Sequence, residues 1–309
     1  MVLNYLINLN RKSFKELLII IKGEEMLVEM KEILSYAKKK KFGVAAPTIW
    51  DERSIRMSLE AAVELNAPII LSFVKDYGRN EIFEMGIAKN LAELVKVPVS
   101  IHNDHGSKFE DNMWAIHAGF NSTMVDRVDL PYEENVKQTK EMVKIAHSVN
   151  VAVEAGVGVV AHGIYIGETE EITYTVPGEA KKFAVETGVD ILSISIGNLH
   201  GIYKEKPEID FNRVKEIFDI VPSFLTVHGS SGLPYEDMSK LAELGIVKFN
   251  MQSYLSKAAI HSENEYIKKN KDNKSPRALL LKNISEAADN GWKEELKRYI
   301  KAIKSDGKA

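Results

Sequence analysis

The chain has 309 residues, 45% of them hydrophobic and 28% charged, enough for a sizeable core in one large domain or two smaller ones. A net charge of -3 gives no hint of nucleic acid or an anionic membrane as partner. Cysteine is absent, which excludes disulfides and thiolate ligands, so any metal must be held by nitrogen and oxygen.

The N-terminus shows no signal-peptide pattern, and no apolar run reaches the ~18 residues of a membrane span, so a cytoplasmic protein is expected. Residues 1–25 precede Met26, where MLVEMKEILSYAKKKKFG reads as an amphipathic helix. Lys22-Gly23-Glu24-Glu25-Met26 can be encoded by a purine run before ATG, like a bacterial ribosome-binding site and start. We therefore expect residues 1–25 to be an N-terminal extension, a translated leader outside the folded domain of 26–309; the alternative is a real extra helix, which ELLIIIK would suit.

Short apolar runs then alternate with amphipathic segments. VAAP (44–47) precedes a helical stretch from Glu52 to Asn66, and PIILSFV (68–74) precedes Asn80–Val95. VPVSIHND (97–104) precedes Asp111–Ala118, and STMVD (122–126) precedes Pro131–Val149, whose first turn is acidic. VAVEAGVG (151–158) is followed by a long loop and then Pro177–Thr187. DILSISIG (190–197) precedes Asp210–Ile220, SFLTVHG (223–229) precedes Tyr235–Leu244, and VKFNM (247–251) precedes a helical tail. Eight strand-then-helix units imply a parallel sheet and predict an α/β fold, a single (β/α)8 TIM barrel. The main rival is a doubly wound open sheet, which the lack of GxGxxG after the first strand weakens.

Three of the eight histidines follow a predicted strand closely: His105, His200 and His228. In a barrel these C-terminal strand ends share one face, so wide spacing in sequence does not prevent meeting in space. Three neutral imidazoles with an open fourth position form a catalytic zinc site. On pattern alone a second reading stands beside it, that of hydrogen-bonded surface histidines. His117, His147 and His261 fall on predicted helices and read as surface residues; His102 lies two before Asp104 and could orient it; His162 has no assignment. The loops after strands seven and eight, HGSSG (228–232) and NMQS (250–253), have the glycines and hydroxyls of a phosphate site, although GSSG alone is also an ordinary turn.

Several stretches together resemble the class II, metal-dependent ketose-bisphosphate aldolases, which include fructose- and tagatose-bisphosphate aldolases. They are HNDHG (102–106), MVDRVDLPYEENVKQTKEMVKIAH (124–147), TGVDILSISIGNLHGIYKEKPEIDFNRVKEI (187–217), LTVHGSSG (225–232), VKFN (247–250) and SPR (275–277). The resemblance runs from about Met26 to the C-terminus. It implies Zn²⁺ on His105, His200 and His228, with or without a monovalent cation beside it, and Asp104 as general acid/base. It implies that Gly201, Gly229, Ser231, Asn250 and Ser253 hold the phosphate of dihydroxyacetone phosphate. Arg277 would read a distal phosphate, in some relatives across a subunit interface. The implied partners are a small sugar phosphate and further copies of the chain, in a homodimer or homotetramer.

Departures from the family pattern lie around the substrate. Val153-Glu154-Ala155-Gly156-Val157-Gly158 lacks the second glutamate of V-E-A-E-L-G. VVAHGIYIGETEE (159–171) replaces the glycine-rich acidic loop, leaving Glu168, Glu170 and Glu171 as candidates for its acid/base glutamate. Ala45-Ala46-Pro47-Thr48-Ile49 replaces an asparagine-rich strand end, Val74 stands where serine is expected, and Gln252 where many fructose enzymes have aspartate. The expectation is aldol chemistry on a different ketose phosphate. The alternatives are an isomerase or epimerase working through the same enediolate, a non-catalytic sugar-phosphate-binding subunit, or, on Lys248, Schiff-base chemistry.

Overall fold

The computed structural model describes residues 26–75, 81–158, 162–163, 174–203, 205–275 and 277–309. The proposed extension at residues 1–25 and the glutamates of 168–171 lie outside the described residues.

The strands form where apolar runs can be covered on both faces, as parallel strands require. They are β1 (Val44–Ile49), β2 (Ile69–Val74), β3 (Val99–Gly106), β4 (Ser122–Val125), β5 (Ala152–Val157), the two-residue β6 (His162–Gly163), β7 (Ile191–Ile194), the two-residue β8 (His200–Gly201), β9 (Phe224–Val227) and β10 (Ile246–Met251). The order β1-β10-β9-β7-β5-β4-β3-β2 closes on itself, all parallel, and β6 pairs with β8 outside the barrel. The predicted (β/α)8 barrel is therefore the fold, and the open-sheet rival is excluded.

Helices cover the barrel: α1 (Met30–Lys40), α2 (Glu52–Glu64), α3 (Glu81–Ala92), α4 (Phe109–Ala118), α5 (Tyr132–His147), α6 (Pro177–Thr187), α7 (Phe211–Ile220), α8 (Tyr235–Glu243), α9 (Ser253–Asn270) and α10 (Leu281–Ala302). The start of α2 follows capping chemistry. Asp51 accepts from Ser54 N at 2.8 Å while Ser54 Oγ accepts from Asp51 N at 3.0 Å, a capping box that begins α2. Apolar faces of these helices and outward strand residues form the core, in which Phe42, Phe120, Phe183 and Phe249 are fully buried. Each such ring is worth roughly 1.5–3 kcal/mol of burial.

Two strand ends differ from the sequence expectation, while the tail is helical as expected. β3 runs on to Gly106, past the expected end at Asp104. β7 stops at Ile194, short of the expected Gly197, because the chain turns where Ile196 N donates to Asn198 Oδ1 at 2.8 Å. The tail after β10 forms two helices, α9 and α10, which pack against each other. His117, His147 and His261 are exposed on α4, α5 and α9, as expected.

Candidate active site

Strand geometry poses a problem at Asp104 and His105. Successive side chains of a strand point to opposite faces, yet both residues line one cavity. The backbone resolves this. Asn103 pairs with Thr123 and Gly106 with Val125, so β3 advances three residues where β4 advances two, a bulge at Asp104-His105. His105 takes the left-handed conformation at φ 52°. Such a non-glycine residue costs on the order of 1–3 kcal/mol and is concentrated at functional sites.

His105 meets His200 on β8 and His228 just after β9. One ring nitrogen from each lies within 4.8 Å of the others, and the ring centroids are 4.9 to 5.7 Å apart. Two of the rings are aimed by carboxylates. His105 Nδ1 is 2.7 Å from Asp126 Oδ2, and His228 Nε2 is 2.7 Å from Glu154 Oε1. An ionised carboxylate only accepts, so a proton stays on that nitrogen, and the other nitrogen is the one that can offer a lone pair to a metal once it has given up any proton of its own. The donor set is therefore suited to a divalent metal of nitrogen preference. The main chain of His228 is fixed as well, since Asn198 Nδ2 donates to its carbonyl at 2.9 Å.

The electrostatics follow from burial. Burial opposes ionisation of Asp104, but His105, Lys248 and His228 outweigh it and hold the carboxyl well below the usual carboxylate range. Burial likewise opposes a charged His105, but Asp104 and Asp126 dominate and lift it to about 9. Glu154 is held down at about 2 against its burial, by Lys248, whose Nζ is 2.8 Å away, and by His228. Burial pushes the His102 imidazole down, towards the neutral form.

A cavity of about 440 Å³ opens above this centre. Its lining includes nine of the ten residues proposed from sequence: Asp104, His105, His200, His228, Gly201, Gly229, Ser231, Asn250 and Ser253. The tenth, Arg277, is exposed between α9 and α10 and does not line it. Gly229 is required by the close approach of two loops. It has φ 62°, and a Cβ there would sit 1.9 Å from Leu199 O. Two tyrosines hold that loop: Tyr203 donates to Gly229 O at 3.1 Å, and Tyr299 to Ser231 O at 2.6 Å.

His102 reaches Asp104, as expected, but only across a long contact. Its Nδ1 is 2.7 Å from Ser122 Oγ, while Nε2 stands 3.5 Å from both Asp104 Oδ1 and Glu154 Oε2. Asp104 is held instead by Asn250, whose Nδ2 donates to Oδ2 at 2.9 Å. Sequence reasoning also passed over Asp126, Ser107 and the tyrosines. Asp126 directly follows β4, a strand-end acid on the catalytic face, and that position was a usable signal.

Barrel and site place the molecule among the class II aldolases, which are carbon–carbon lyases. Residues 28–308 match the family model described as fructose-bisphosphate aldolase class-II, and the chain belongs to that family. It is 35% identical over 263 residues to the probable fructose-bisphosphate aldolase of Bacillus subtilis (strain 168), covering 82% of this chain and 91% of that one. The crystal structure of the YdjI aldolase from Escherichia coli K12 has a TM-score of 0.80 at 30% identity, over 92% of this chain and 99% of that one. The fructose-bisphosphate aldolase of Campylobacter jejuni, at 21% identity, shares the fold with a TM-score of 0.78 over 92% and 97% of the two chains.

Proposed function

We propose that the protein catalyses zinc-dependent, reversible aldol cleavage of a ketose phosphate to dihydroxyacetone phosphate and an aldehyde. The observation that carries this reading is the convergence of three imidazoles beside a buried carboxylate in one cavity. His105, His200 and His228 would hold the ion. When bound, zinc supplies Lewis-acid stabilisation of the charge that develops at the substrate ketone, worth several kcal/mol.

The remaining work falls to the chain. Gly201, Gly229, Ser231, Asn250 and Ser253 line the cavity and would hold the phosphate. Asp104 accepts the proton of the C4 hydroxyl as the C3–C4 bond breaks; C4 leaves as the aldehyde, and the electron pair stays with C3. Protonation of C3 completes dihydroxyacetone phosphate. A carboxylate held ionised and facing the cavity suits the first step.

The acceptor half is the unusual part. Thr48, Val74 and Gln252 line the cavity where the family pattern has other side chains. Val74 removes a hydroxyl, and one lost buried hydrogen bond costs about 1–3 kcal/mol, or about ten- to a hundredfold in rate. Fructose 1,6-bisphosphate is therefore expected to be a poor substrate beside another ketose phosphate. The experiment is condensation of dihydroxyacetone phosphate with a panel of aldehydes, in parallel with cleavage of fructose and tagatose bisphosphates. A product other than an aldol, such as an epimer of the supplied ketose, would favour the isomerase reading. Efficient fructose 1,6-bisphosphate cleavage, at a specificity constant of ~10⁴ M⁻¹s⁻¹ or more, would show that the departures are neutral.

The same reading includes a place in cytoplasmic carbohydrate metabolism such as glycolysis, and a homodimer or homotetramer in which Arg277 reaches a neighbouring site. It also includes Met26 as the native start, which mass spectrometry of the N-terminus would test: peptides from upstream of Met26 would refute it.

A further inference from the structure

Lys248 is fully buried on β10, is not among the residues lining the cavity, and takes no part in the chemistry above. Its contacts nevertheless lead to Asp104. Its Nζ lies 2.8 Å from Glu154 Oε2 on β5 and donates to Asn250 Oδ1 at 2.7 Å. Asn250 Nδ2 in turn donates to Asp104 Oδ2 at 2.9 Å. β10, β5 and β3 are not neighbours in the barrel, so these side chains meet across its interior.

We propose that Lys248 is a positioning residue for the aldol step, acting through Asn250 to fix the orientation in which the Asp104 carboxylate meets the substrate. The inference rests on the reading of Asp104 as the acid/base group.

A carboxamide can turn either way, and its neighbours decide. An ammonium group only donates, so the amide oxygen must face Lys248. A carboxylate only accepts, so the amide nitrogen must face Asp104. Thr226 Oγ1, 3.3 Å from Asn250 Oδ1, fits the same orientation. Without the ammonium the amide loses the contact that sets its direction, and a flipped amide would present its oxygen to the carboxylate.

The consequence is an Asp104 with two unlike oxygens. Oδ2 is tied to Asn250, whereas Oδ1 is buried and has no hydrogen-bond partner among the described residues; His102 Nε2, also buried, stands 3.5 Å from it. A buried acceptor left without a donor is costly and needs an explanation. Here His102 Nε2 faces it across 3.5 Å, and the C4 hydroxyl proton goes to the carboxylate from the side of the cavity that Asp104 lines. The O–H bond breaks and an O–H forms on the carboxylate, while the C4–O bond gains its second bond and the C3–C4 pair goes to C3.

The test separates the two halves of the reaction. Condensation of dihydroxyacetone phosphate with D-glyceraldehyde 3-phosphate needs Asp104. Exchange of the C3 proton of dihydroxyacetone phosphate with solvent, with no aldehyde present, involves no C4 hydroxyl. Zinc content is measured alongside. Lys248→Met leaves Glu154 without its counter-charge and can fail to fold. A double variant combining Lys248→Met with Glu154→Gln is therefore made beside it; the introduced amide is uncharged, and its oxygen can still accept from His228. Asp104→Asn is the reference.

The expected result is a condensation rate down by about 10²-fold, approaching the reference variant, with zinc content and proton exchange within about threefold of wild type. Condensation within about threefold of wild type in a folded lysine variant would overturn the proposal. A parallel fall of condensation and exchange would overturn it too, since Lys248 would then serve the dihydroxyacetone phosphate half. If Asp104→Asn itself condenses normally, the acid/base reading falls and this inference with it; if only the lysine variants do, the reading stands and the inference alone is lost.

Discussion

Asp104 and His105 are adjacent in sequence and share one cavity only because β3 bulges between them and His105 is left-handed. On the proposed reading, that arrangement would let one residue work on the proton while the next holds a metal. Asp104→Asn keeps the shape and removes the proton acceptor. It should lower turnover by about 10²- to 10⁴-fold and leave bound zinc unchanged, as steady-state kinetics and metal analysis on one preparation would show. Loss of metal from that variant would mean that Asp104 is a ligand or a ligand support. The same scale settles the status of Lys248, which is buried and ion-paired to Glu154, not exposed to substrate. Borohydride in the presence of dihydroxyacetone phosphate should therefore leave activity intact; inactivation with a reduced adduct on Lys248 would revive Schiff-base chemistry. The strand-end histidines were readable from sequence because apolar runs stop at them. The Glu154–Lys248 pair was not read, although a charge inside each of two buried strands needs a partner. His102 does stand 3.5 Å from Asp104, as its place in the sequence suggests, but the shorter hydrogen bond to that carboxylate comes from Asn250, 146 residues away, which sequence proximity does not reveal.

Among the elements, the start of α4 shows how the catalytic strand end is secured. Asp111 Oδ2 accepts from Lys108 N at 2.9 Å, and Oδ1 is ion-paired to Lys75 beyond the end of β2. Burial works against this carboxylate, but Lys75 and the Lys108 N–H outweigh it and lower its pKa from the ordinary 3.8. A depressed pKa contributes stability that is present above the ordinary value and is lost as pH falls through the folded one. Asp111→Ala should therefore cost about 1–2 kcal/mol at neutral pH, and the gap to wild type should close below pH 3.8. Urea unfolding at both pH values checks this; a gap that persists in acid would assign the loss to packing, not charge. Helices and barrel strands were legible because turn residues and changes of period punctuate them. β6 and β8 were not, because two-residue pairings leave no periodicity to detect. The early end of β7 depends on the Asn198 side chain bonding the backbone, which apolar run length does not reveal.

At the scale of the whole molecule, closure of the sheet brings together residues separated by more than a hundred positions, and the order of strands determines which of them meet. The (β/α)8 class was legible because eight repeated units leave few topologies. What lies beyond one chain was not: Arg277 is exposed and outside the cavity lining of its own chain. If it serves a neighbouring subunit, mixing Asp104→Asn and Arg277→Ala chains should restore activity above that of either alone, because a mixed dimer contains one site with both residues intact. No recovery after verified subunit exchange would confine Arg277 to its own chain.

Three imidazoles, brought together by strands distant in sequence, are proposed to hold a catalytic zinc ion. The direct measurement is a zinc titration of chelator-stripped protein, following bound metal per chain and aldol condensation together. The account predicts negligible condensation in the stripped protein and recovery in proportion to zinc, saturating at about one ion per chain. It also predicts loss of both binding and recovery in His105→Ala, His200→Ala and His228→Ala. Full activity in the stripped protein, or stoichiometric zinc retained by the three alanine variants, would contradict it.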